Sequence, residues 1–191
     1  MSHYHEGARE LQDRFDTRRL ADRLAERLSR TEFTVEDKAF VETRGMFFLA
    51  TADASGQPDC SYKGGLPGFV RVTGPSEIAF PSYDGNGMFR SLGNVRVNPA
   101  VGLLFLDFEQ PRRLRVLGTA VASEDDPLRA EFAGAQLVVR VHASAIFPNC
   151  PRYIHRMQLV ELSAYSPQPG HEPPEPAWKQ MPAFREVLPR S

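Results

Sequence analysis

A chain of 191 residues fits one domain with modest additions, and an apolar share of 41% is enough to build a core. The formal net charge of -1 gives no basic excess to hold a nucleic-acid backbone. No apolar run approaches the ~20 residues that a membrane-spanning helix needs.

Residues Gly7 to Arg30 are rich in Arg, Asp, Glu, Leu and Ala. Leu20, Leu24 and Leu28 recur every four residues, with Leu11 and Phe15 a separate pair. This predicts a helical stripe with a solvated face. Thr34-Val35-Glu36-Asp37 has the form of a helix start, with Thr34 as N-cap and an acidic first turn. That helix is expected to stop near Arg44-Gly45, with Gly45 as C-cap.

From Met46 the pattern changes to strands. Met46 to Thr51 is apolar, and Asp53 to Pro58 is a turn cluster before the next strand. Gly68 to Val72 and Glu77 to Phe80 predict a second hairpin around Thr73-Gly74-Pro75-Ser76. Val101 to Phe108 and Arg113 to Ala122 predict a third pair, joined at Glu109-Gln110-Pro111. Asp125-Asp126-Pro127 starts a short helix, because Asp caps and Pro suits a first helical turn; Gly134 ends it. Gln136 to His142 alternates apolar and polar residues and returns as a strand. Strands at this spacing, divided by Gly and Pro turns, predict a mainly β, α+β domain built on a closed or partly closed barrel. Its limits are a helical extension over 1–44, the barrel over 45–165, and a Pro-rich tail over 166–191.

Cys60 and Cys150 do not make a disulfide framework, and as free thiols they fit a reducing cytosol. The polar N-terminal residues lack the apolar stretch of a signal peptide. A soluble, cytoplasmic protein is the expectation. Among the five histidines, only the terminal pair His3 and His5 has metal-ligand spacing. No Gly-x-Ser-x-Gly elbow of a hydrolase occurs.

Lys63 follows a strand and precedes Gly64-Gly65. Alone it is an edge lysine before a turn. Ser61, two residues back, lies on the same strand face and adds a hydroxyl to the ammonium. Asp84-Gly85-Asn86-Gly87 is a tight turn by composition. The segment after it, Met88 to Asn94, can form a helical turn whose free N–H groups start near Gly87 and favour an anion. Arg90 and Ser91 lie within that turn, and Arg contacts phosphate oxygens in pairs. Cys150, in Phe147-Pro148-Asn149-Cys150-Pro151-Arg152-Tyr153, is read as a buried small hydrophobe ahead of a redox thiol. Trp178 is read as a packing anchor for the tail.

Four segments in order carry a resemblance: Phe47 to Ala52, Gly56 to Gly65, Asp84 to Asn94, and Asn98 to Phe105. Over roughly Phe40 to Tyr165 the chain resembles the pyridoxamine phosphate oxidase-like, FMN-binding split-barrel family, in its uncharacterised bacterial branch. The resemblance implies a homodimer of six-stranded split barrels with FMN at the subunit interface. It implies Ser61, Tyr62 and Lys63 beside the flavin, and Asn86, Gly87, Arg90, Ser91 and Asn94 around the phosphate and ribityl chain. Asn149, Cys150, Arg152 and Tyr153 would approach from the partner subunit. The vitamin oxidases' Arg strand with Leu-Leu-Lys is replaced by Ser61-Tyr62-Lys63-Gly64-Gly65, and their C-terminal Arg-x-His segment has no clear counterpart. The resemblance therefore implies an FMN-dependent oxidoreductase, with the substrate and electron donor left open. A flavin- or haem-binding carrier or sensor is the alternative on the same fold. A deazaflavin-dependent reductase also shares the fold, and the low net charge argues against its wider basic groove.

Overall fold

The Arg-, Glu- and Leu-rich opening forms two helices in the computed structural model, which describes residues 4–189. They are α1 (Glu6–Arg14) and α2 (Arg18–Leu28). The break falls at Asp16, whose φ of 51° is left-handed; Asp tolerates this better than most residues. Arg18 bonds back to Asp13 across the break, at 2.5 Å. The stripe of Leu20, Leu24 and Leu28 exists as expected, but it faces outward and stays exposed.

Thr34 does cap the next helix, α3 (Val35–Glu42), and the cap is reciprocal. The Asp37 N–H donates to Thr34 Oγ1 at 3.1 Å, and the Thr34 N–H donates to Asp37 Oδ2 at 3.0 Å. Asp37 also pairs with Arg30, which fixes the α2–α3 corner. The helix buries Phe40 and Val41. It closes at Thr43, so Gly45 is not its C-cap. Gly45 takes no left-handed conformation. It serves close approach instead: its carbonyl accepts from the Gly65 N–H at 3.0 Å, and a Cβ would stand 3.3 Å from the Gly65 oxygen.

The strands follow as β1 (Met46–Ala52), β2 (Pro58–Gly64), β3 (Arg71–Gly74), β4 (Glu77–Tyr83), β5 (Ala100–Asp107), β6 (Arg112–Ser123) and β7 (Ala135–Pro148). Helix α4 (Arg90–Val97) joins β4 to β5, and a 3₁₀ turn at Pro127–Glu131 precedes β7. The three expected hairpins form, each antiparallel. The expectation of six strands is corrected to seven, in the order β2-β1-β5-β6-β7-β4-β3. The sheet is not closed: β2 and β3 stand at its two ends. The count of six comes from the resemblance; the seven strand segments read from the sequence each form a strand, β3 shifted to Arg71–Gly74.

Strand alternation sends one face inward. Phe47 from β1, Phe80 from β4 and Phe105 from β5 are fully buried, with Phe47 centred 4.9 Å from Phe80 and 5.1 Å from Phe105. Contact between strands far apart in the sheet order requires the sheet to curl on itself. The bend lies in β6 and β7, whose register shifts between Leu117 and Gly118. Gly118 is needed there because a Cβ would lie 2.1 Å from the His142 carbonyl oxygen. Helix α4 closes one side of the core with Leu92 and Val95.

After β7 the chain runs without regular structure to a turn at Ala177–Gln180 and a last helical turn at Pro182–Arg185. It is pinned back onto the body where the Met157 N–H donates to the Phe108 carbonyl at 3.1 Å, and where Lys179 pairs with Asp84 at 2.7 Å. Trp178 packs edge-on against Phe184, a contact internal to the tail. Among the described residues, no helix is long and apolar enough to cross a membrane.

Candidate functional site

Strand alternation decides what β2 presents. Asp59, Ser61 and Lys63 share one face, which turns toward α4; Cys60 and Tyr62 take the other. The loop before α4 is shaped by Asn86, whose Oδ1 accepts from the Met88 N–H at 3.0 Å, and by Gly87 at φ 73°. Phe89, at φ 47°, is the N-cap residue of α4 and supplies no capping side chain. The free amides of the helix start are therefore at Arg90 and just beyond, rather than at Gly87. They are not answered by a side-chain cap, so the positive end of the helix faces the hollow.

That hollow, of about 340 Å³, lies between β2, the end of β4 and α4. Ser61, Lys63, Asn86, Gly87, Arg90 and Ser91 all line it. Ser82, Tyr83, Asp84 and Gln136 add polar groups from β4, its following loop and β7. Burial pushes the Lys63 ammonium below the usual lysine range, while the Asp59 charge pulls it back up. Burial also raises the Tyr83 phenol.

The other sequence-derived candidates stand elsewhere. Tyr62 is 62% exposed, meets Phe48 edge-on at 6.1 Å, and lines a second groove of about 810 Å³. Asn94 donates through Nδ2 to Thr51 Oγ1 at 3.1 Å and ties α4 to β1. Asn149, Cys150, Arg152 and Tyr153 follow β7 and line neither hollow. Cys150 is exposed, not buried as expected, because β7 ends two residues earlier. The Arg152 backbone and guanidinium hold its thiol below the usual cysteine range, with Arg152 Nε 3.1 Å from Sγ. His5 caps α1, its Nδ1 accepting from the Ala8 N–H at 3.4 Å; His3 lies outside the described residues.

Asp59 is the site residue that sequence reasoning missed. Its side chain accepts from Ser91 Oγ at 3.0 Å and stands 3.7 Å from Arg90 Nε. Ser91 Oγ is also 3.0 Å from Ser61 Oγ. The signal was present: the alternation that aligns Ser61 with Lys63 also puts Asp59 on their face.

The second groove shares Tyr83 and Asp84 with the first. Its walls include Met46, Leu106, Phe108 and the returning segment at Met157, Leu159 and Leu162. A small hollow carrying a half-buried lysine and several polar side chains therefore opens beside a larger groove.

The family model described as pyridoxamine 5'-phosphate oxidase matches residues 33–165. No functionally curated protein matches the chain. Among solved structures, HupZ of Group A Streptococcus is 20% identical, over 66% of this chain and 99% of that one, with a TM-score of 0.49. A proposed pyridoxamine 5'-phosphate oxidase of Lactobacillus delbrueckii is 24% identical, over 62% and 95%, also at 0.49. HutZ of Vibrio cholerae, described as a heme storage protein, is 21% identical, over 59% and 91%, at 0.45.

Proposed function

Because the chain belongs to the pyridoxamine 5'-phosphate oxidase family, we propose that it is an FMN-dependent oxidoreductase that holds the flavin phosphate between β2 and α4. The observation that carries this reading is the convergence of Lys63, Arg90, Ser61 and Ser91 on one hollow at an uncapped helix start. Lys63 is drawn into that hollow with no carboxylate at ion-pair distance among the described residues. A half-buried cation without a close counter-ion is a standing invitation to an anion. The donor set suits a phosphate: two cations, two hydroxyls and backbone amides. The neighbouring groove offers room for a flat ring of the size that a ligand cleft normally buries. FMN, when bound, supplies hydride or electron transfer; the protein's residues bind and orient it and limit the access of water. Asn86, Gly87 and Ser82 are placed to fix the ligand beside the phosphate.

A homodimer belongs to the same proposal. Each groove is open to solvent on one side. The outer face of the sheet leaves Tyr62, Leu117 and Val121 exposed, Val121 at 69%. A second copy on this face would wall the larger groove, which Tyr62 lines, in each protomer by one two-fold operation. Cys150, Arg152 and Tyr153 are exposed beyond β7 and are available to such a partner, whereas the Asn149 side-chain oxygen is buried. Light scattering at micromolar concentration is expected to give about twice the chain mass; a monomer that binds FMN fully would contradict the shared site.

The reading is tested by titrating protein freed of flavin with FMN, then mixing the complex with a reduced nicotinamide. Binding with turnover supports an oxidoreductase; binding without turnover supports a carrier. A pH dependence follows from Lys63. The phosphate needs the ammonium form, and burial lowers the Lys63 pKa below the ordinary 10.5. FMN affinity is expected to fall as pH rises through that lowered value. Lys63→Arg, always charged, is expected to keep the affinity over the same range. The effect on stability has the opposite sense. The half-buried ammonium destabilises the flavin-free fold while charged, and that penalty fades as pH rises from the lowered pKa to the ordinary 10.5.

A further inference from the structure

The hydroxyl protons lining the hollow converge on Asp59. Ser61 and Ser91 each have one hydroxyl proton to donate, and a carboxylate can only accept. Ser91 Oγ is 3.0 Å from Asp59 Oδ2 and 3.0 Å from Ser61 Oγ. Ser91 must therefore spend its proton on Asp59, and Ser61 must donate to Ser91. Both hydroxyl protons run toward one carboxylate. Arg90 Nε, 3.7 Å from Asp59 Oδ1, is turned to it as well. Of the four side chains that would hold a phosphate, Ser91 and Arg90 are thus already engaged with an anion of the protein's own, and Ser61 is tied to it through Ser91. Lys63, farther along β2, makes no ion pair with Asp59, although the Asp59 charge favours its ammonium form.

We propose that Asp59 is a built-in competing anion that sets how tightly this site holds a dianionic phosphate. An incoming phosphate must take Ser91 and Arg90 away from Asp59, and Ser61 away from Ser91, while lying close to the Asp59 charge. Like charges in one desolvated site oppose each other strongly. Asp59 therefore acts on the phosphate end of a ligand and not on its ring. It makes the site selective for ligands whose remaining contacts offset the displacement, against inorganic phosphate and small phosphate esters. This inference rests on the flavin reading for its choice of ligand, but the donor arrangement stands without it.

The test compares wild type with Asp59→Asn and Asp59→Ala, all freed of flavin. Binding of FMN, riboflavin and inorganic phosphate is measured by calorimetry, with circular dichroism to confirm folding. Asp59 lies on a strand at the sheet edge, and Ala removes the carboxylate without adding a polar group, so the pair covers a failure of either variant. The expected result is FMN binding tighter by about tenfold or more, the scale of one charge-assisted contact, with riboflavin affinity unchanged. Unchanged or weaker FMN binding in the folded variants overturns the role of Asp59, while wild-type FMN binding keeps the flavin reading. An equal gain for riboflavin also overturns it, because the effect would then not lie at the phosphate. If no form binds FMN but the variants gain affinity for inorganic phosphate, Asp59 is confirmed and the flavin reading fails. Absence of binding by any form to any of the three overturns both.

Discussion

Replacing Lys63 and Arg90 together by alanine is expected to weaken FMN binding by roughly 100- to 1,000-fold. A hydrogen bond to a charged group contributes about 1.5–3 kcal/mol. Lys63 is expected to deliver the upper part of that range, because it is drawn into the hollow and has no close carboxylate partner. Arg90 is expected to deliver less, about tenfold alone, since its side chain is 67% exposed and partly engaged with Asp59. Water and salt screen an exposed guanidinium. Raising the ionic strength is therefore expected to erode the Arg90 contribution before that of Lys63. Titration of the two single variants and the double variant at low and high salt measures both quantities. If neither single variant changes the affinity, the phosphate does not lie between β2 and α4.

Phe47→Ala is expected to destabilise the fold by about 3–5 kcal/mol, the cost of a large cavity in a packed core. Phe47 is fully buried and packs against Phe69, Phe80 and Phe105, with ring centres at 5.9, 4.9 and 5.1 Å. Few neighbours can relax into that space without breaking strand pairing. The loss should reach the site too, because Phe47 on β1 pairs directly with Lys63 on β2. Chemical denaturation reads the stability change from the shift in midpoint at constant slope. A change under about 1 kcal/mol would be typical of a surface position, and would show that these rings do not form the centre of the core.

The core and the three hairpins were legible because their signals are local. β1 was legible as an apolar run, although only the structure shows which half of it, Phe47, Leu49 and Thr51, turns inward. Thr34 and Asp126 announced their helical starts through side-chain capping, which needs only neighbours in the chain. What was not legible depends on distant partners. Gly45 looks like a helix stop, yet its reason is the Gly65 backbone twenty residues on. Cys150 has the composition of a core residue, but the end of β7 leaves it in solvent. The site shows the same division. Ser61 and Lys63 could be paired by strand period, and Arg90 and Ser91 by helix start. That the two pairs face each other across Asp59 follows from the packing of α4 on β1 and β2, which no local pattern encodes.

The central claim is that the β2–α4 hollow binds the phosphate of a flavin. Parallel titration of the flavin-free protein with FMN and with riboflavin tests it most directly, since the two ligands differ only at that phosphate. FMN is predicted to bind at least tenfold more tightly, with the preference lost in the Lys63→Ala/Arg90→Ala variant. Equal affinity for the two flavins, or a preference that survives in that variant, would contradict the account.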